Sequence, residues 1–274
     1  MPAFASPSPS TSRHPHPRAV AGALVTLALA AAGLAACVLD VSTSGTQDLE
    51  VAVPADAPSV SVRVEMFNGS IEVRAGAAGR VAATVTTTGA GRSKEEAEAD
   101  RAKIQVTLDA TPDRSVLLRT VYQPSPGSPG HRSASAVVDV PPGAALDLHT
   151  SNGDVATAGI RGPIQVATSN GAIRLAEAAQ GATVRTSNKG VEIDGSGTFD
   201  VETSNESIYV QLPGGSSFAL DARTSGGAEV VVTGFDVQTT GAASSGTLQG
   251  TVGAGGPSIT LRTSNRNIQV AAQQ

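Results

Sequence analysis

The sequence holds few side chains that could take part in covalent or metal chemistry. Its single cysteine, Cys37, is the only thiol, so an intramolecular disulfide is excluded. The four histidines, His14, His16, His131 and His149, show none of the spacings that are typical of a zinc site. The sequence therefore predicts neither a metal site nor a bound cofactor.

The remaining candidates for chemistry are charged side chains that flank copies of a recurring tripeptide, Thr-Ser-Asn. Asp154 and Glu192 could act as paired carboxylates in glycan cleavage if the fold brought them together. Arg185, Arg223 and Arg262 occupy one position of the same repeat, so they could form an outward binding face. An ordinary solvated face would carry the same residues. Because no catalytic motif accompanies them, the sequence predicts a protein without enzymatic activity.

The tripeptide Thr-Ser-Asn recurs along the chain, and one copy reads Thr-Ser-Gly. Elements of secondary structure must position these copies. Their threonines are Thr150, Thr168, Thr186, Thr203, Thr224 and Thr263. Apolar residues stand two and four places before each threonine, and five and seven places after most of them. This alternation predicts a strand, a corner at the tripeptide and a second strand. A period of about 18–21 residues fits one coil of a β-solenoid.

The asparagine of the tripeptide is predicted to build the corner. Asparagine tolerates a positive φ, and stacked asparagine amides can hydrogen-bond from one coil to the next. The earlier stretch "VRVEMFNGSIEV" shows the same register. The predicted corner residues are Asn68, Asn152, Asn170, Asn188, Asn205 and Asn265. A repeated ligand site is the alternative, but the outward flanking residues vary most, which favours the structural corner.

The predicted fold is all-β: a single-stranded, β-helix-like β-solenoid of stacked coils over residues 57–274, with the repeats concentrated in 146–270. One short helix is expected near 93–103, where Ser93 is a suitable N-cap and acidic residues fill the first turn. A degraded coil, "FDVQTTGAASSG", is expected to fill the long gap before Thr263.

The N-terminal residues are predicted to be a targeting segment, because an uncharged run from Ala19 follows a Pro- and Ser-rich start. The run ends in Leu34, Ala35, Ala36 and Cys37, which resembles the lipobox of bacterial lipoproteins. The resemblance implies a signal peptide over 1–36 and lipid attachment at Cys37. An uncleaved membrane anchor is the alternative, because the run is nearly long enough to span a bilayer.

Composition and charge narrow the function further. The formal charge of −5 provides no basic field for nucleic acid. Aromatic residues make up 3% of the chain, which suits a thin core of aliphatic side chains between β layers. Residues 37–56 are expected to be an extended tether between the lipid and the folded domain.

The repeats also carry a family likeness. The stretches "VVDVPPGAALDLHTSNGDV" and "GTVGAGGPSITLRTSNRNIQV", with the repeated Thr-Ser-Asn between them, resemble the putative bacterial adhesin family of β-strand-repeat domains. That family was first catalogued as a domain of unknown function and is related to the head domains of autotransporter adhesins. The resemblance covers about residues 50–274, implies a β-solenoid on the bacterial envelope, and brings no catalytic residues.

These observations predict a non-catalytic envelope lipoprotein that presents a β-solenoid surface for binding or adhesion. Lipidated Cys37 would hold it to a membrane, on the outer leaflet or on the periplasmic side. The expected partner is a polysaccharide or another envelope protein, and not nucleic acid. The alternatives are a structural or envelope-stress-associated lipoprotein on the periplasmic side, and a carbohydrate-active enzyme built on a β-helix.

Overall fold

Strands form the regular structure of this chain, apart from one helix. The computed structural model describes residues 41–54, 60–123, 131–240 and 243–273. These residues fall in one unit, Val38–Gln274. The predicted signal peptide, its lipobox and Cys37 lie outside the described residues. Among the residues described, no helix is both long enough and apolar enough to cross a membrane.

The elements follow one another in short steps along the chain. The first are β1 (Val41–Ala52), β2 (Ser61–Met66), β3 (Ile71–Ala75), β4 (Arg80–Gly91), α1 (Lys94–Arg101), β5 (Ile104–Ala110), β6 (Ser115–Tyr122), β7 (Ser133–Val140) and β8 (Ala145–Thr150). The next are β9 (Val155–Ala158), β10 (Ile164–Ala167), β11 (Ile173–Ala178), β12 (Gly181–Arg185), β13 (Val191–Gly195), β14 (Thr198–Glu202) and β15 (Ile208–Leu212). The last are β16 (Phe218–Arg223), β17 (Val230–Thr233), β18 (Val237–Thr239), β19 (Thr247–Val252), β20 (Ser258–Arg262) and β21 (Ile268–Ala272).

The strands assemble into two large mixed sheets, named sheet A and sheet B here. The order in sheet A is β1-β4-β7-β3-β9-β11-β13-β15-β21-β17. The order in sheet B is β18-β19-β16-β20-β14-β12-β10-β8-β2-β6-β5. Each repeat sends the strand before its tripeptide into sheet B and the strand after it into sheet A. The tripeptide is therefore the corner between the two sheets, and the prediction of an all-β fold is confirmed.

Successive repeats pair in parallel, in the register that the sequence predicts. In sheet B, Val166 of β10 is the partner of Leu148 in β8 and of Val184 in β12. In sheet A, Ile173 of β11 is the partner of Val155 and Val191. The strands β2 and β3 on either side of Asn68 join the same ladders next to β8 and β9, so this earlier repeat is confirmed.

The inward residues of the two sheets form one hydrophobic core. Its largest fully buried side chains include Phe199, Phe218, Leu148, Ile173 and Ile208. Full burial of one such side chain stabilises a fold by about 1.5–3 kcal/mol. Most strands contribute two or three inward side chains, and nearly all of these are aliphatic, which agrees with the small aromatic content of the chain.

Each threonine of the tripeptide ties its repeat to the neighbouring one. The Thr168 hydroxyl donates a hydrogen bond to the carbonyl oxygen of Gly153 at 3.2 Å, and that of Thr186 donates to Gly171 at 3.1 Å. The same bond recurs from Thr150 to Gly69, Thr203 to Lys189, Thr224 to Arg266 and Thr263 to Glu206. These hydroxyls satisfy corner carbonyls that the strand ladders leave unpaired. The sequence predicts only a β-branched inward slot at this position.

The asparagines form a continuous row of amide hydrogen bonds. Each Nδ2 donates to the Oδ1 of the neighbouring repeat, at distances of 2.6, 2.6, 2.8 and 2.9 Å. The row runs through Asn152, Asn170, Asn188, Asn205 and Asn265. Asn68 instead donates to the carbonyl oxygen of Arg132 at 2.7 Å.

The conformation expected at these asparagines is not the one adopted. Among the described residues, the non-glycine residues with a positive φ are Arg114 and Glu177, and neither belongs to the tripeptide. The asparagines therefore turn the corner with an ordinary backbone. Their role is to hydrogen-bond along the stack, and a left-handed backbone is not required of them.

The last repeat is out of sequence order in space. Strand β20 lies between β14 and β16, and β21 lies between β15 and β17, so the C-terminal repeat separates two repeats that precede it. The expected degraded coil is wrong. Val237 of β18 pairs antiparallel with Val252 of β19, and β19 pairs antiparallel with β16, so this stretch is a hairpin at the edge of sheet B.

The tether expected over 37–56 is largely part of the fold. Residues Val41–Ala52 form β1, which pairs antiparallel with β4 from Val41 opposite Gly91 to Ala52 opposite Arg80. The extended conformation expected for the tether is that of an edge strand, in which few side chains are buried.

The inserted helix agrees with the sequence. Helix α1 begins after Ser93, whose Oγ accepts a hydrogen bond from the backbone N–H of Glu96 at 3.2 Å. Its Asp100 is buried and accepts hydrogen bonds from Tyr122 Oη at 2.8 Å and Arg132 Nε at 2.6 Å. Because burying an unpaired carboxylate is costly, these bonds fix where the helix docks.

The threonine hydrogen bond predicts a clear difference between two threonines of one repeat, Thr186 at the corner and Thr183 on the strand before it. Thr186→Val should lower the free energy of unfolding by about 1–3 kcal/mol, because a buried carbonyl loses its donor without a change in volume. Thr183→Val is the control, because Thr183 is exposed on β12 and valine suits a strand. Urea denaturation followed by circular dichroism measures both. Equal stability of the two variants would contradict the role given to the hydroxyl.

Candidate functional site

A shallow groove crosses the outer face of sheet B, beside the corners. Its volume is about 610 Å³, and its lining comes from β2, β8, β10, β12 and β14 and the corners that follow them. These are consecutive neighbours in the sheet. Because neighbouring strands lie about 4.8 Å apart, five of them span about 19 Å. The groove is thus an elongated surface that crosses successive repeats.

The floor of the groove is low where a small residue interrupts a row of long ones. Ala167 has His149 as its partner on one neighbouring strand and Arg185 on the other. One side of the groove is formed by the serines of the tripeptide, which are exposed: Ser151, Ser169, Ser187 and Ser204. A serine hydroxyl can both donate and accept a hydrogen bond. The groove therefore offers one such group at four of its five repeats, because the corner after β2 has Phe67 in place of the serine.

The charged side chains of the groove are balanced. Arg63 and Arg185 line it together with Glu65 and Glu202. Arg63 Nε lies 2.8 Å from Glu65 Oε1, and Arg185 Nε lies 3.4 Å from Glu202 Oε2. Exposed pairs of this kind contribute less than about 1 kcal/mol each to stability, so they remain able to exchange partners with a ligand.

The three arginines of the predicted binding face do lie on the outer face of sheet B, but they do not form one cluster. Arg262 and Arg223 are partners on adjacent strands, and both contact Asp221, at 2.8 and 2.9 Å. Arg185 is separated from them by β14, whose Glu202 is the partner of both Arg185 and Arg262. Only Arg185 lines the groove. Binding at this face stays a prediction.

The two carboxylates considered for glycan cleavage are kept apart. Asp154 Oδ1 accepts a hydrogen bond from the backbone N–H of Ala172 at 2.8 Å. Glu192 lies on β13 and pairs with Arg174 at 3.4 Å. Strand β11 separates β13 from β9, which follows Asp154. Within the described ranges, no group of three or more His, Cys, Asp or Glu residues is arranged to hold a metal ion.

Asp221 is the best-defined ionic centre on this face. Its carboxylate accepts hydrogen bonds from Arg262 and Arg223. The hydrogen bond from Arg262 is the main cause that lowers the pKa of Asp221 below its usual range, against the opposing effect of burial. The same pair raises the pKa of Arg262. The pair is therefore charged over the whole ordinary pH range.

The groove residues that the sequence analysis missed had a readable signal. The serine of the tripeptide is the same in every copy, although it is exposed. An exposed position that does not vary among repeats is a candidate for contact with a ligand. Ala167, by contrast, gave no signal, because its effect depends on the two longer side chains beside it.

Comparisons with known proteins give likenesses among solved structures only. No protein-family model and no curated protein matches the sequence. A crystal structure of a "putative cell adhesion protein" from Clostridium sporogenes is 12% identical, with a TM-score of 0.46, over 84% of this chain and 100% of that chain. A "putative adhesin" from Bacteroides fragilis is 12% identical, with a TM-score of 0.32, over 84% and 97%.

A third solved structure resembles this chain at a similarly low sequence identity. A "putative adhesin" from Parabacteroides distasonis is 7% identical, with a TM-score of 0.24, and the alignment covers 82% of this chain and 97% of that chain. The solved structures that resemble this chain are thus described as adhesins or cell adhesion proteins from several bacteria. These descriptions coincide with the family that the repeat motifs resemble.

The lowered pKa of Asp221 predicts how one ion pair depends on pH. Asp221→Asn should destabilise the protein at neutral pH, where the native carboxylate is charged and paired. The stabilisation by a carboxylate of lowered pKa is present above its unfolded pKa and is lost as the pH falls through its folded pKa. The difference in unfolding free energy between Asp221→Asn and the native chain should therefore shrink below about pH 4. A difference that is constant from pH 7 to pH 2 would contradict this assignment.

Proposed function

We propose that this protein is a non-catalytic lipoprotein of the bacterial cell envelope, which presents a β-solenoid surface to an extended polymer. The observation that carries the proposal is the groove on sheet B. It crosses five consecutive repeats and offers a serine hydroxyl at four of them. A ligand with its own repeat along an extended chain could use several of these equivalent contacts at once.

The solenoid is part of this proposal. The parallel pairing of β8, β10, β12 and β14 in one sheet, and of β9, β11, β13 and β15 in the other, supports a chain that winds once per repeat. Repeat folds of this type provide elongated surfaces on which equivalent side chains recur at a fixed spacing. Such a surface suits a polymer better than a compact small molecule.

The class of polymer follows from the charges of the groove. Two arginines and two glutamates line it, so their formal charges cancel. A strongly anionic or cationic polymer would gain little from such a surface, whereas a neutral polysaccharide could hydrogen-bond to the serines and to the charged side chains. We therefore propose a neutral polysaccharide of the cell envelope or of a contacted surface as the ligand.

The anchor is proposed from the sequence. Leu34-Ala35-Ala36-Cys37 follows an uncharged run, and Cys37 is the only cysteine. Lipid on Cys37 would hold the domain at a membrane surface. The described fold begins at Val41, so few residues would separate the lipid from sheet A. An anchored domain with a polymer-binding groove is the arrangement that adhesion requires.

The side of the membrane is tested by protease shaving of intact cells that express a C-terminally tagged full chain. We expect the tag to be removed from the native chain at the cell surface. Cys37→Ala should not be displayed there, because it lacks the residue that carries the lipid. A tag that stays protected until the outer barrier is broken would overturn the adhesion function and favour a role on the periplasmic side.

The groove is tested by a matched pair of substitutions. Ala167→Arg fills the groove floor, and Ala156→Arg places the same side chain on the outer face of sheet A. Both alanines are partly buried in four-residue strands. The probe is neutral polysaccharide purified from the cell wall of the producing bacterium, and the measurement is cosedimentation of the purified protein. We expect Ala167→Arg to weaken binding at least about tenfold, a loss of about 1.4 kcal/mol, and Ala156→Arg to leave it unchanged.

Two outcomes of that experiment would contradict the proposal. Equal binding by the two variants would exclude the groove as the site. Release of new reducing ends from the polysaccharide by the native chain would show a glycan-cleaving enzyme in place of a binding protein. If Ala167→Arg also lowers the melting temperature, its binding is compared with that of Ala156→Arg, which places the same side chain on a similar strand. Binding by Ala156→Arg at a similarly lowered melting temperature assigns the loss to the groove.

A further inference from the structure

The C-terminal repeat occupies a slot between two other repeats. The C-terminal segment, defined here as residues 258–272, contains β20, the Thr263 corner and β21. Strand β20 pairs in parallel with β14 on one side and β16 on the other. Strand β21 pairs in parallel with β15 and β17. The segment therefore makes backbone ladders on both sides in both sheets.

The slot is complementary to the segment in side chains as well as in backbone. The segment buries Ile259, Leu261, Ile268 and Val270 almost completely. Its Asn265 donates to Asn205 Oδ1 at 2.9 Å. The segment is thus a built part of the core, and its place is defined by contacts to repeats that lie earlier in the chain.

Within the described residues, one short connection joins the segment to the remainder of the fold. Residues 253–257, Gly-Ala-Gly-Gly-Pro, lead from β19 to β20, and they must pass over β16, which lies between those strands. The residue after the segment within the described chain is Gln273. The segment can therefore leave its slot when this connection changes its conformation, and no other described loop has to move.

The chain order leaves the slot unfilled until residues 258–272 join the fold. The two walls, β14–β15 and β16–β17, precede the segment in the chain, and they do not pair with each other in the finished fold. Until the segment enters, both walls present unpaired strand edges toward the slot. Such edges are templates for any strand of matching pattern.

We propose that the C-terminal segment is exchangeable between two copies of this chain, so that the segment of each copy fills the slot of the other. The exchanged pair keeps all the ladder, core and asparagine contacts of the closed chain, because the sequence that fills each slot is identical. Only the connection 253–257 differs, which makes exchange a low-cost route to a dimer. The interaction surface is the slot, and the partner is a second copy.

Disulfide capture between two differently tagged full chains tests the exchange. Cys37→Ser is introduced in both, so that the engineered thiols are the only ones. One copy carries Glu202→Cys on the slot wall, and the other carries Arg262→Cys on the segment, where the two positions are strand partners. Cα atoms of paired strands are close enough for a disulfide. The two chains are unfolded together in urea, refolded and oxidised.

The matched control replaces the segment thiol by Arg185→Cys, which is the other strand partner of Glu202 but lies outside the segment. We expect a disulfide-linked pair of chains with Arg262→Cys, with a yield that rises with chain concentration during refolding, and none with Arg185→Cys. Equal yields in the two mixtures would show random collision and overturn the proposal, as would the absence of a linked pair in both.

The placement of the segment is checked in the same assay. A single chain with both Glu202→Cys and Arg262→Cys should close a disulfide within itself when refolded at low concentration. Failure of this closure would contradict the interposed position of the segment, and the proposal would fail with it.

A hinge variant gives a second, independent test. Gly255, in the connection, has a φ of +76°, and Gly215, in the turn before β16, has a φ of +80°. A Cβ added at Gly255 would meet only Thr251 Cγ2, at 4.0 Å, and one at Gly215 would meet no atom within 4 Å. A valine is strained at such a φ, so Gly255→Val disfavours the closed connection.

We expect Gly255→Val to raise the exchanged fraction several-fold in size-exclusion chromatography after refolding, because the connection can extend in the exchanged pair. Gly215→Val carries similar strain at a site that exchange does not relieve, so it should destabilise the chain without raising the fraction of dimer. The same dimer fraction in both variants would overturn the proposed hinge.

Discussion

The hydrogen bond from the threonine hydroxyl of each tripeptide to a corner carbonyl of the neighbouring repeat is the interaction on which the stack depends. At each corner the chain leaves one sheet and enters the other, so the strand ladders cannot satisfy every carbonyl. The threonine supplies the missing donor from a side chain that also fits the strand. Where Lys189, Glu206 or Arg266 follows the asparagine in place of glycine, the carbonyl at that position still accepts the bond. The corner therefore tolerates variation at its exposed residue. Its threonine is constant in the six copies of the tripeptide, whereas the repeat of Asn68 has buried Met66 at this position.

This constraint also determines what the surface can offer. Since the buried positions of each repeat are committed to the core and to the threonine bonds, they vary mainly among apolar residues. Variation in charge is confined to outward positions, where it also sets local depth. Replacement of a long side chain by Ala167 in one row lowers the groove floor, and the unvarying serines keep hydroxyls along its side. A binding surface can thus be altered by a few outward substitutions while the register of the repeats stays fixed.

The sequence was sufficient wherever structure depends on neighbours in the chain. Alternation around each tripeptide predicted the strands, the inward residues and their parallel register, and Ser93 predicted the start of the helix. The sequence was insufficient where the position of a strand depends on pairing between residues that are far apart in the chain. The composition of Val41–Ala52 resembles that of a linker, because an edge strand buries little. The position of β20 between β14 and β16 leaves no local trace, because each of these strands has the same pattern and would fit beside several others. The serines of the groove were visible in the sequence, whereas the depth at Ala167 depends on side chains from two neighbouring strands.

The row of asparagine amides has a direction, and that direction has a consequence at its end. In all four bonds of the row, Nδ2 donates toward the N-terminal repeats, so these amide dipoles align and Asn265 presents its Oδ1 toward the repeat of Thr224. The tripeptide of that repeat is Thr224-Ser225-Gly226, in which glycine stands in place of asparagine. The one tripeptide without an amide therefore belongs to the last repeat of the row, whose strand β17 is the edge of sheet A and whose strand β16 is covered in sheet B by β19. A column of aligned amides is the kind of polar template on which amyloid-like growth proceeds. Here the column ends at Asn265, so a chain that approached the β17 edge would meet no amide with which to continue it.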